Sequence, residues 1–195
     1  MKKSKVETAE TRRRIISAAS TLFMEKGLGE TGIADVMAAA GLTQGGFYRH
    51  FESKEQLVAE ANREANQQLF RYYDEAVAGK GPLEAMDIIV DLYLYQFGKD
   101  GARQLCPLAN LGSELHHSND DIRAVAMQGY RSLTASFAHM MGQLGIAGHA
   151  SVADAIVATI VGAVTLSRLS VDEALSKNIL DNAQATVRTL LRKEF

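Results

Sequence analysis

Apolar residues recur at three- and four-residue spacing along nearly the whole chain, and strand-like alternation is absent. That pattern confines the fold to packed helices, so the expected class is all-α. Only two prolines, Pro82 and Pro107, interrupt it. Residues 1–10 are polar and read as an arm. A first helix is expected over residues 11–26, with Ile15, Ile16, Ala19, Leu22 and Phe23 on one face, Thr11 as N-cap and Gly27 as the stop. A second, short helix follows Thr31 and Gly32, buries Ile33, Val36, Met37 and Ala40, and ends at Gly41. Thr43 caps a third, which runs to Phe51. Ser53 and Gln56 have capping-box spacing and open a long fourth helix reaching Ala78. Gly79, Lys80, Gly81 and Pro82 break it. Further helices are expected over residues 83–97, 107–116, 121–144, 151–169 and 170–192.

With 195 residues, 47% of them hydrophobic, the chain can bury a sizeable core. The formal net charge is only −2, so any nucleic-acid binding must come from a local patch. Cys106 is the single cysteine, which excludes an intrachain disulfide and suits a reducing cytoplasm. The basic start, Lys2, Lys3 and Lys5, is not followed by an apolar run, so no secretory signal is expected. The most apolar stretch, residues 153–169, carries Thr159, Thr165, Ser167 and Arg168; it reads as a buried helix, and no membrane partner is expected.

Residues 32–51 read GIADVMAAAGLTQGGFYRHF. Two short helices flank a tight turn at Gly41, Leu42 and Thr43, the spacing of a helix-turn-helix whose second helix enters the DNA major groove. Leu42, Phe47 and Phe51 can pin the third helix to the first two. Gly45, Tyr48 and Arg49 then point away from that core, with Gln44 in the first turn beside them. Gly45 and Gly46 each cost about 1 kcal/mol relative to alanine in a helix. Close approach of backbone N–H groups to phosphate gives them a reason to be there.

The ordered string Arg14-Ile15-Ile16, Ala19, Leu22-Phe23, Gly27, Ile33-Ala34-Asp35-Val36, Ala39-Ala40-Gly41-Leu42-Thr43, Gly45, Phe47-Tyr48, His50-Phe51, Ser53-Lys54 and Leu57 resembles the DNA-binding domain of the tetracycline-repressor (TetR) family. The resemblance implies a DNA-binding domain over residues 9–69 and a helical effector-binding and dimerisation domain over 70–195. It also implies a regulator, expected to be a repressor, that binds double-stranded operator DNA as a homodimer and leaves it on binding a small-molecule or electrophile effector. Thr43 and Gln44 would open the reading helix, and Gln44 would reach a base edge, since a side-chain amide pairs with adenine. Gly45 and Gly46 would lie on the sugar-phosphate. Tyr48, His50 and Lys54 would donate to phosphates, and Arg49 would read a base or clasp a phosphate. Gly32 stands where the family usually has Ser or Thr, and Met37 where a small residue is common. The basic arm, including Lys2, Lys3, Lys5, Arg12, Arg13 and Arg14, can follow phosphates or remain a solubilising tail.

For the effector cavity the candidates are Tyr93, Phe97, Cys106, Asn110, Glu114, His117, Tyr130, Phe137 and Met140. The stretch CPLANLGSEL at residues 106–115 resembles a pattern in one branch of the family, some members of which respond to electrophiles. Cys106 precedes a helix start, where the dipole favours thiolate; its plainer reading is a small buried hydrophobe. The dimer would use the last two helices: Ala155, Ala158, Gly162 and Ala163 permit close approach, and Leu180, Ala183, Val187 and Leu190 add an apolar stripe. His116 and His117 are adjacent and point about 100° apart on a helix, so no metal or other cofactor is expected. No nucleophile–base pair or phosphate-binding glycine loop stands out, so no enzyme is expected. A purely structural DNA binder would need far less chain than the C-terminal half provides.

Overall fold

The computed structural model describes residues 5–96 and 106–192. Among these residues there are eight α-helices and no strand. They are α1 (Lys5–Lys26), α2 (Ile33–Ala39), α3 (Lys54–Ala76), α4 (Pro82–Asp91), α5 (Pro107–Leu115), α6 (Asp120–Gln143), α7 (His149–Leu169) and α8 (Glu173–Arg192). A 3₁₀ helix, Gln44–Arg49, lies between α2 and α3, and a π turn, Leu92–Gln96, follows α4. Lys2, Lys3 and Phe97 lie outside the described residues.

The N-terminal boundary differs from the sequence expectation. α1 starts at Lys5, so Thr11 is not an N-cap. It is a buried residue inside the helix, and its hydroxyl donates to the Glu7 carbonyl at 2.7 Å. This back-bonding across one turn lets a polar side chain sit in a helix interior. At the other end, α8 begins at Glu173, not near Ser170. Asp172 Oδ1 accepts from Ala174 N–H at 2.8 Å and Leu175 N–H at 3.3 Å, which satisfies two of the first-turn donors.

The chain divides into two compact units. Of the described residues, the first takes in 5–68 and 106–127, and the second 69–96 and 128–192. The first unit therefore includes α5 and the start of α6, which the sequence reading placed with the C-terminal half. Its core combines Ile15, Ala19, Phe23 and Met24 of α1 with Val36, Met37, Phe47, Phe51, Leu57, Val58 and Ala61. Leu111 and Leu115 of α5 and Ile122 of α6 are buried in the same unit. Burial of apolar side chains contributes about 1.5–3 kcal/mol each, which is why a periodic apolar face suffices to seat a short helix such as α5.

In the second unit α7 and α8 form a helical hairpin. Buried residues are Ile156, Val157, Ile160 and Val164 of α7, Ala183, Val187 and Leu191 of α8, and Met86, Ile89, Tyr93, Phe137 and Met141. Two polar contacts tie α8 to the end of α4 and the π turn. Tyr95 Oη donates to Asp181 Oδ1 at 2.8 Å, and Gln184 Nε2 donates to Asp91 Oδ1 at 2.5 Å. Burial, with help from Asp181, pushes the Tyr95 phenol up to about 12. The apolar helix α7 is buried on one face only. Ala155, Ala158, Leu166 and Leu169 are exposed along its other face, with Gly162 half-buried between them.

Candidate DNA-binding surface

The helix-turn-helix is built from local signals. α2 opens with Gly32 N–H donating to Asp35 Oδ2 at 2.9 Å, a half capping box in which the N-cap residue has no side chain. It closes with Gly41 N–H on the Ala38 carbonyl at 2.9 Å and Leu42 N–H on the Met37 carbonyl at 2.8 Å. This is a Schellman closure, and the +67° φ of Gly41 is what it requires. Thr43 stands at the N-cap position of the next helix, yet its exposed hydroxyl makes no capping bond.

The recognition segment is a 3₁₀ helix and not the α-helix the sequence suggested. Six residues with two glycines cannot offset α-helix nucleation, whereas three-residue closures need less. Gly46 N–H donates to the Thr43 carbonyl at 3.0 Å and His50 N–H to the Phe47 carbonyl at 2.9 Å. Side chains three apart then align, so Gly45 and Tyr48 share one line. Phe47 is fully buried and stacks on Phe51 with centroids 5.5 Å apart. Gln44, Gly45, Tyr48 and Arg49 are exposed, Tyr48 at 72%. His50 is half-buried. A Cβ on Gly45 would meet nothing within 4 Å, while one on Gly46 would lie 3.5 Å from Met37 Cε. Gly46 thus lies against the methionine that stands where a smaller residue is common, and Gly45 faces open space.

A group that the sequence did not reveal holds this segment in place. Both terminal nitrogens of Arg12 bond Glu60, Nη2 to Oε1 at 2.6 Å. Arg12 Nε donates to the His50 carbonyl at 3.3 Å, and its guanidinium lies 4.5 Å from the centre of the Phe51 ring. Arg12 therefore faces inward and links α1, the end of the 3₁₀ helix and α3, unlike the exposed Arg13 and Arg14. The pair is partly exposed, so solvent screens it. Arg12→Ala should lower the unfolding free energy by about 1–2 kcal/mol in chemical denaturation, through loss of the forked ion pair and the ring contact. An unchanged midpoint would show that the pair contributes nothing.

α3 starts with the expected cap. Gln56 N–H donates to Ser53 Oγ at 3.2 Å, but Gln56 Oε1 accepts from Glu52 N–H, at 2.8 Å, and not from Ser53 N–H. Backbone and Ser53 hydrogen bonds hold the Glu55 carboxyl below its ordinary value. Lys54, in the first turn, donates from Nζ to the Leu28 carbonyl at 2.8 Å. With Leu28, Glu55, Val58, His117, Ser118, Asn119 and Ile122 it lines an open cleft of about 390 Å³.

The effector candidates divide between the units. Cys106, Asn110, Glu114 and His117 belong to the first; Tyr93, Tyr130, Phe137 and Met140 belong to the second. Cys106 is buried at the N-cap of α5. Asn110 and Glu114 bond backbone groups of the first unit. Tyr93 and Phe137 are fully buried, and Tyr130 Oη donates to Asp154 Oδ1 at 3.1 Å.

Residues 15–61 match the family model for bacterial regulatory proteins of the tetR family. Residues 82–182, more than half of the chain, match the C-terminal domain model of the LmrA/YxaF-like transcriptional regulators. The chain belongs to the TetR family. That family comprises bacterial transcriptional regulators with an N-terminal helix-turn-helix. The HTH-type transcriptional repressor KstR2 of Rhodococcus jostii is 40% identical over 79 residues, which cover 38% of this chain and 39% of that protein. The regulator TtgR of Pseudomonas putida is 41% identical over 58 residues, covering 30% and 28%. The matched stretch thus spans about two fifths or less of these curated relatives. Likeness to solved structures is longer. A TetR transcriptional regulator of Chloroflexus aurantiacus superposes with a TM-score of 0.79 at 28% identity, over 97% of this chain and 98% of that one. Reduced NemR of E. coli superposes equally well, at 0.79, over 92% and 96%; at 20% identity it shows the TetR fold alone.

Proposed function

We propose that this TetR-family chain is a homodimeric, cytoplasmic repressor that binds operator DNA through its recognition segment and is released by a small-molecule effector. The observation that carries the reading is the exposed face of Gln44, Gly45, Tyr48 and Arg49, held on a buried Phe47 and Phe51 anchor. Gln44 offers an amide for a base edge, Tyr48 and Arg49 offer donors for phosphate, and Gly45 leaves the backbone open to close approach. KstR2, named as a repressor, supports repression over activation. The dimer reading rests on the outward face of α7, where Leu166 and Leu169 are exposed within the chain. For the effector, Tyr93, Phe137 and Met140 remain the aromatic and soft candidates of the second unit, where Tyr93 and Phe137 would have to part to admit a ligand; Asn110 and Glu114 are already engaged with backbone groups. Whatever the effector is, it must bind the released state better than the DNA-bound state.

Footprinting on the DNA flanking its own gene tests the reading. The protected site should be an imperfect palindrome whose half-sites lie about 34–36 Å apart or at a multiple of that spacing. Affinity should fall steeply with salt, because phosphates supply much of the binding. Protection of a single unrepeated sequence, or salt-insensitive binding, would defeat the proposal.

A further inference from the structure

The connection between α1 and α2 is gripped from two sides, by side chains of α5 and of α3. Asn110 Nδ2 of α5 donates to the Met24 carbonyl at 2.7 Å, satisfying one of the orphan acceptors in the last turn of α1. Glu114 Oε2 of the same helix accepts Leu28 N–H at 2.8 Å and Gly29 N–H at 2.9 Å. Lys54 Nζ of α3 takes the Leu28 carbonyl at 2.8 Å. Gly27 completes the grip. Its φ is +87°, and a Cβ there would lie 2.6 Å from Glu114 Oε1, so the carboxylate rests over a bare Cα. The connection then leads straight into α2. Thr31, wholly buried, donates to the Gly27 carbonyl at 2.7 Å, and Gly32 is the N-cap.

We propose that Glu114, assisted by Asn110, is a positioning residue for operator binding. It holds residues 27–29 in the one conformation that starts α2 correctly, and α2 carries the turn and the recognition segment. The inference rests on the operator-binding reading above. A carboxylate that accepts two successive backbone N–H groups makes charge-assisted bonds. Without it those donors turn to water, and the connection samples other conformations. Only the fraction of molecules with the native connection then presents the recognition segment properly, and apparent affinity falls by that fraction. Glu114 contributes no phosphate contact, so the salt dependence of binding should stay as in the unmodified protein.

The test compares Glu114→Ala, Glu114→Gln and Asn110→Ala in the full chain. Three measurements are made: operator titration at several salt concentrations, amide exchange at Leu28 and Gly29, and sedimentation with chemical unfolding. Glu114→Ala should stay dimeric and helical, exchange both amides faster, and bind operator about tenfold more weakly with an unchanged salt slope. Glu114→Gln keeps an acceptor oxygen on the same stem and should bind within about threefold of the unmodified protein. Asn110→Ala should fall between the two. Should Glu114→Ala fail to fold, Glu114→Gln and Asn110→Ala decide by the same readouts. Folded Glu114→Ala that binds operator normally overturns the positioning role, as does Glu114→Gln that binds as weakly as the alanine variant. Unmodified protein that binds none of its flanking DNA overturns the operator reading itself, and the positioning role with it.

Discussion

Leu166→Asp combined with Leu169→Asp should give a folded monomer that has lost most of its operator affinity. Both side chains are exposed within the chain, at 57% and 76%. They continue a line of residues, Ala155, Ala158 and Gly162, that recurs at three- and four-residue spacing along α7. Val171 and Leu175 extend the exposed apolar surface into the start of α8. An apolar stripe of this kind beside small residues suits close approach of a second copy. Both side chains are mostly exposed within the protomer, so aspartate there disturbs little of its packing and helix content should persist. Across a two-fold interface the same changes would place four carboxylates in a desolvated seam, which no dimer of ordinary stability tolerates. Loss of the second half-site should weaken operator binding by about 100-fold or more, the usual gain from linking two modules. Sedimentation and operator titration on one sample decide the matter. A variant that remains dimeric would remove α7 from the interface, and a monomer that binds as before would show that operator binding does not need the second copy.

The stripe proposed from sequence on α8 behaves differently. Ala183 and Val187 are buried within their own unit, and Leu180 and Leu190 are half-buried. Periodicity shows that a face is apolar but not what covers it. The same limit separates the legible from the illegible elsewhere. Helix stops at Gly27 and Gly41, the N-cap at Ser53 and the exposed line of Gly45 and Tyr48 follow from chemistry within a few residues. The ties that seat the recognition segment do not. Arg12 and Glu60 are 48 residues apart, and Asn110 and Glu114 reach partners 86 positions away. Nothing near Glu114 in the sequence distinguishes a carboxylate facing a cavity from one capping backbone N–H groups. The 3₁₀ winding at residues 44–49 was half visible: the glycine pair signalled weak α propensity, while the burial of Phe47 that anchors the segment is tertiary.

The glycine pair also supports the second large expectation, in which stability and affinity move in opposite directions. Gly45 has no positive φ, and a Cβ built there meets nothing within 4 Å. Alanine therefore fits, and it should hold or raise the unfolding free energy, by up to about 1 kcal/mol. If the backbone at Gly45 lies on the sugar-phosphate, the added methyl stands where the phosphate must go. Operator affinity should then fall on the order of tenfold through loss of backbone–phosphate hydrogen bonds. Reduced folding cannot produce that combination, since the variant would be at least as well folded. Gln44→Ala supplies the complementary signature. Gln44 is exposed at the start of the segment, and its removal should cost about 1–3 kcal/mol of binding while relaxing preference at a single base pair. Gly45→Ala, by contrast, should weaken binding to every sequence alike, because phosphate carries no base identity. Titration of both variants against the operator and a set of single-base-pair changes separates the two roles. If Gly45→Ala binds normally and Gln44→Ala keeps full base preference, the recognition face lies elsewhere on the first unit.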